Sequence, residues 1–149
     1  MDLKLLIKEY LEKAKMMQVA TAHDNQPWAC TVYFAYDSDW NLYWISTPDR
    51  RHSKEIISND KVAGTIVLSH TPGDKVRGLQ FQGIAEEITN PADIRKLYPY
   101  YGKRFDYMKA LEEIISGKNP HRLYRIKPTQ FVLFDEVNFP DNSRQEYKL

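Results

Sequence analysis

From Trp28 to Tyr36 the chain alternates strictly. Trp28, Cys30, Val32, Phe34 and Tyr36 fall on one side of an extended run, and Ala29, Thr31, Tyr33 and Ala35 on the other. A period of two is the signature of a strand, and this run is one of a series. Met17 to Ala22, Leu42 to Ser46, Val62 to Leu68 and Gly78 to Ile88 also read as strands. Turn-forming segments separate most of them: His23-Asp24-Asn25-Gln26-Pro27, Asp37-Ser38-Asp39-Trp40-Asn41, and a stretch containing Pro72-Gly73-Asp74. Strands joined by tight turns predict an antiparallel sheet. The even spacing, the lack of βαβ alternation and two late strands around Pro128, His121 to Lys127 and Gln130 to Val137, predict closure into a small barrel. A doubly wound α/β fold is disfavoured.

Helices flank this pattern. Leu3, Leu6, Ile7, Tyr10, Leu11 and Ala14 share one helical face behind a capping Asp2. Asn90 caps a helix opened by Pro91, with Ile94, Leu97, Tyr98 and Tyr101 on its apolar face. Phe105, Met108, Leu111 and Ile115 line another, which stops at Gly117. Gly83 marks a bulge or a close backbone approach in the fifth strand. Residues 140–149 form a polar, loosely held tail. With 149 residues and no linker or repeat, the expectation is a single domain over 1–149.

The third strand runs into a helix expected over Pro48 to Ser58, and the start of that helix carries Arg50, Arg51, His52 and Lys54. A helix N-terminus is partially positive and normally attracts acidic side chains. Cations there fit a bound anion such as a phosphate, with Ser46 and Thr47 adding hydroxyl donors. They also fit a solvated basic turn with Thr47 as cap and Pro48 in the first helical position. The only large apolar residues of this helix are Ile56 and Ile57, which predicts a surface position with little to bury.

The net charge of +1 sets these cations apart as a local concentration, favouring a small anionic ligand over a nucleic-acid backbone. The single cysteine, Cys30, fits a reducing compartment. No apolar run has membrane-spanning length, and the charged N-terminal residues do not read as a signal peptide. A cytoplasmic protein is the simplest expectation. His23, His52, His70 and His121 lack metal-ligand spacing. No nucleophile elbow, Walker loop or dinucleotide glycine loop occurs. No residue stands out as a catalytic acid or base. Gln80 and Gln82 share a face of the fifth strand, either as exposed barrel positions or as amides offered to a ligand.

These residues carry a resemblance. The run 28–36, then Leu42-Tyr43-Trp44-Ile45-Ser46-Thr47, Arg51-His52-Ser53-Lys54-Glu55-Ile56, Asn59-Asp60-Lys61-Val62-Ala63-Gly64-Thr65 and Arg77-Gly78-Leu79-Gln80-Phe81-Gln82-Gly83 resembles the FMN-binding split barrel of the pyridoxamine 5′-phosphate oxidase-like superfamily. Trp28-Ala29-Cys30, Arg51-His52, Ala63-Gly64-Thr65 and Asp141-Asn142-Ser143 are similar to the pattern of a small uncharacterised bacterial group within it. The resemblance implies a mainly β (α+β) fold, an antiparallel six- to seven-stranded split β-barrel with flanking helices. It implies a homodimer with FMN sites at the interface. By position, Ser46 and Thr47 would lie beside the phosphate and ribityl chain, and Arg51 would pair with the phosphate. His52 stands where the family often has a phosphate-binding Lys. Cys30, Thr31 and Val32 would run along the isoalloxazine edge, and Gln80 would lie on the strand closing the pocket. The implied activity is that of an FMN-dependent oxidoreductase acting on an unknown small molecule. The alternative is a non-catalytic protein that binds or sequesters flavin or haem. The basic residues flanking the second strand of the vitamin B6 oxidases, and their C-terminal substrate-gripping Arg segment, have no counterpart here.

Overall fold

The computed structural model describes residues 2–149. Helix α1 (Leu3–Lys13) begins at Asp2, whose carboxylate accepts the Lys4 amide at 2.9 Å. Strands β1 (Met16–His23) and β2 (Gln26–Tyr33) form a hairpin. Its two turn residues, Asp24 and Asn25, both take positive φ, as a tight hairpin turn with the right twist requires. Then come β3 (Ala35–Tyr36), β4 (Leu42–Ser46), α2 (Arg51–Ser58), β5 (Lys61–Ile66) and β6 (Arg77–Ile88). Helices α3 (Pro91–Arg104) and α4 (Ala110–Ser116) precede β7 (Arg122–Asp135) and β8 (Arg144–Lys148).

All strand pairs are antiparallel, in the order β2-β1-β5-β6-β7-β4-β3, with β8 added beside β7. Only Phe34 separates β2 from β3. The two ends of the strand path are therefore one run of chain, and the sheet curls until they meet there. This is the split barrel expected from the sequence. Inward side chains such as Met17, Val19, Trp44, Leu79 and Phe131 form the core, and α1 closes it with Leu6, Ile7, Tyr10 and Leu11. A second cluster joins α3 and α4 to Tyr43, Ile88 and Leu123.

Several expectations are corrected. The alternation from Trp28 breaks at Phe34, because Phe34 and Ala35 are both buried where the strand changes partners. The late strands around Pro128 are one strand. β6 pairs with β7 from Leu123 to Asp135 across the bulge, while β7's remaining partners divide it: β4 pairs with residues 122–126 and β8 with 130–134. Pro128 lies in the gap between β4 and β8 and beside the register shift at Gly83, so its missing N–H interrupts no regular ladder. That shift is the expected bulge, and a Cβ on Gly83 would stand 2.4 Å from the Lys127 carbonyl. The tail is held by β8, whose Tyr147 ring lies 5.4 Å from Trp40. The last helix is shorter than expected: Phe105 terminates α3 and Met108 lies in the turn before α4.

Candidate functional site

Strand β4 ends at Ser46 and the chain turns before α2. The Thr47 carbonyl accepts the Arg50 amide at 3.2 Å and the Ser53 hydroxyl at 2.9 Å. That turn occupies the residues expected to open the helix. Arg50, not Thr47, is the N-cap, and it gives the first turn no side-chain acceptor. The first turn of α2 has no acidic residue either. Its amides remain available to an anion.

The helix is not a surface element with little to bury. His52, Ser53, Glu55 and Ile56 are all buried. Three of these are polar, and each has a partner. Ser46 Oγ and His52 Nε2 lie 2.8 Å apart. Ser53 bonds to Thr47, and the Thr21 hydroxyl donates to Glu55 Oε1 at 2.8 Å. Hydrogen bonding makes such burial tolerable, and a count of apolar residues does not register it. The Thr21 hydroxyl, with the Arg51 guanidinium, holds the Glu55 carboxyl below its usual range. Burial, reinforced by the charge of Arg50, pushes the His52 imidazole down, so the ring is neutral at pH 7.

The basic cluster is thereby divided. His52 turns inward and bonds to Ser46. Arg51 stays exposed, donates from Nε to Glu55 Oε2 at 3.0 Å, and lies 4.2 Å from the centre of the Trp28 ring. Trp28 belongs to the site through this contact, which neither its place in the strand alternation nor its motif discloses. Arg51, Lys54, His23, Asp49, Glu55 and Ser58 surround an open cavity of about 410 Å³. Bidentate pairing with Glu55 does not occur, so the remaining guanidinium N–H groups of Arg51 can turn to a ligand.

Cys30, Thr31 and Val32 lie on β2, the terminal strand of the path, where one backbone edge has no strand partner. Cys30 and Val32 are half-buried and Thr31 is exposed on the opposite face. Burial pushes the Cys30 thiol up, away from nucleophile behaviour. Gln80 faces outward from β6, as expected, but lies apart. It pairs across with Thr65 of β5, and Gln18 of β1 separates Thr65 from Thr31. Three strand spacings put it about 14 Å from Thr31. Of the expected site residues only Arg51 lines the cavity; Ser46, Thr47 and His52 belong to the turn and helix that carry it, β2 adjoins through Trp28, and Gln80 lies outside.

The sequence model of the pyridoxamine 5′-phosphate oxidase family matches residues 3–134. The chain belongs to this family. A UPF0306 protein of Klebsiella pneumoniae (strain 342) is 25% identical over 144 residues, spanning 96% of this chain and 88% of that one. General Stress Protein 26 of Bacillus anthracis str. Sterne superposes with a TM-score of 0.71 at 17% identity, over all of both chains. HutZ, the heme storage protein of Vibrio cholerae, superposes with a TM-score of 0.67 at 21% identity, over 86% of this chain and 91% of HutZ. At these identities the structural likeness establishes the fold. The UPF0306 likeness agrees with the bacterial group indicated by the Trp28, Arg51, Ala63 and Asp141 motifs.

Proposed function

We propose that this member of the pyridoxamine 5′-phosphate oxidase family binds FMN and acts as an FMN-dependent oxidoreductase on a small molecule. The observation that carries the reading is the cavity beside α2. Arg51 and Lys54 face it, and an uncapped helix start lies next to it. These groups fit a phosphate dianion. The placement departs from the family pattern at one residue: His52, neutral and bonded to Ser46, orients that hydroxyl and does not serve as a phosphate cation.

The residues present fit the rest of the cofactor as well. The free edge of β2 at Cys30 to Val32 offers backbone groups to a flat heteroaromatic ring. Bound FMN supplies a ring that accepts and returns hydride or electrons. The chain's share is orientation, charge and exclusion of water. A homodimer belongs to the same reading. Ala29, Ala20 and Ala63 lie side by side across β2, β1 and β5, next to the row Thr31, Gln18 and Thr65. This smooth outer face suits a second sheet, and Gln80 would reach a flavin only through a second copy.

The likeness to HutZ, with His23 on the same cavity, supports the alternative of haem binding without turnover. One titration series separates the two readings. The purified protein is titrated with FMN and with hemin while its visible spectrum is recorded. Saturable flavin binding, followed by bleaching with a reduced nicotinamide nucleotide, is the expected result. A Soret band that is lost in His23→Ala, without flavin binding, would replace this reading with the haem one. Binding of neither defeats both.

A further inference from the structure

The end of the barrel remote from α2 holds a second cavity. α2 sits at the His23 end of β1, where Asn59 donates to the Ala22 carbonyl at 3.2 Å. The second cavity, about 380 Å³, lies beyond the Met16 end, between α1 and the 67–76 loop. Its lining includes the apolar Leu68 and Val137 together with Tyr10, His70, Lys75 and Arg77.

Its buried donors lack partners. Four buried side-chain polar atoms among the described residues have no hydrogen-bond partner: Tyr10 Oη, Trp44 Nε1, Arg77 Nε and Arg104 Nε. Two of these four belong to residues lining this one cavity. The Tyr10 side chain is fully buried. Its hydroxyl is pushed up to about 12 by burial, so it keeps its proton. The Arg77 Nε lies 3.3 Å from Asp135 Oδ1 without a hydrogen bond to it. The Asp135 oxygens already accept from the Val137 and Asn138 amides at 2.9 and 3.0 Å and from Asn138 Nδ2 at 2.6 Å. Asp135 therefore balances the charge of Arg77 but leaves its hydrogen bonding unmet. The one carboxylate lining the cavity, Asp74, accepts the Thr71 amide at 3.3 Å.

We infer that this cavity binds an organic oxyanion, a carboxylate or phosphate on a small apolar body, with the oxyanion against Tyr10, Lys75 and Arg77 and the body against Leu68 and Val137. Unpartnered donors call for acceptor oxygens, Lys75 adds a cation to the same lining, and the apolar residues call for a hydrocarbon or aromatic portion. The site is separate from the proposed flavin site and does not depend on it.

The test is an amide-resolved NMR titration of the full chain with benzoate, phenyl phosphate and the neutral benzyl alcohol. Both or either of the anions should give saturable shifts in residues 68–77 and along α1, and the alcohol should not. Tyr10→Phe removes only an unpartnered hydroxyl, so it should fold at least as well as the parent while weakening the anion by about tenfold, the effect of one hydrogen bond to a charged group. Lys75→Ala provides a second variant, outside the core, and should also weaken it. No saturable shift with either anion, equal binding of the alcohol, or unchanged affinity in both variants overturns the inference. So does displacement of the anion by FMN, which would assign the cavity to the flavin.

Discussion

Two short helices close this barrel, and they do so by different chemistry. α1 is capped by Asp2 and buries Leu6, Ile7, Tyr10 and Leu11. Its C-terminal carbonyls are held by Arg104, whose Nη2 donates to Leu11, Glu12 and Ala14 at 2.9, 3.0 and 2.6 Å. α2 has no side-chain cap, starts with cations, and buries His52, Ser53 and Glu55 beside Ile56. α1 is built as a helix that stabilises a core would be. α2 retains an unfavourable N-terminus and spends polar side chains on fixing one another. Such local departures from good helix design concentrate where a protein binds something. The difference separates a helix that holds the barrel shut from one that presents a charged edge.

The sharpest way to break this comparison is to truncate each helix's anchor. Leu11→Ala removes a fully buried side chain and should cost about 2–5 kcal/mol in chemical denaturation. It should leave ligand affinity per folded molecule unchanged. A loss near zero would mean that α1 does not close the core. The corresponding change at the α2 end, Thr21→Val, removes the hydroxyl that donates to Glu55 and should cost less, about 1–3 kcal/mol. It should also loosen Arg51, because Glu55 holds both groups. If the second loss exceeds the first, the assignment of roles is reversed.

A smaller effect should appear with pH. The folded His52 has its pKa depressed by burial, whereas the unfolded residue titrates near about 6.5. The unfolded state then binds the extra proton first. The stability owed to neutral His52 is complete above about 6.5 and is lost as pH falls from there through the folded pKa. His52→Asn should flatten that part of the acid limb relative to the parent. α1 contains no histidine, so Leu11→Ala should shift the whole profile and keep its slope. Identical slopes in parent and His52→Asn would mean that the ring takes up its proton equally in the folded and unfolded states, so burial does not depress it.

Much of this was legible in the sequence, and the failures share a physical cause. Strand alternation, the Asn90 cap, the Gly83 bulge and the stop at Gly117 depend on local stereochemistry, which neighbouring residues reveal. The polar burial of α2 depends on Thr21, 34 residues before Glu55, and periodicity does not connect them. β7 passes through Pro128 because its partners change there, which only the assembled sheet shows. β8 lacks an apolar pattern and is held by backbone pairing with β7. At the site, the concentration of Arg51, His52 and Lys54 was visible. The inward turn of His52 and the stacking of Arg51 on Trp28 were not, because both depend on how α2 docks against β1 and β2.

The central claim is that the Arg51 edge of α2 receives a phosphate. FMN and riboflavin differ only in that group, so their affinities should be measured side by side for the parent and for Arg51→Ala. The parent should prefer FMN, and Arg51→Ala should weaken FMN by about 1.5–3 kcal/mol while leaving riboflavin nearly unchanged. Equal affinity of the parent for both flavins, or an equal loss for both in the variant, would contradict the account.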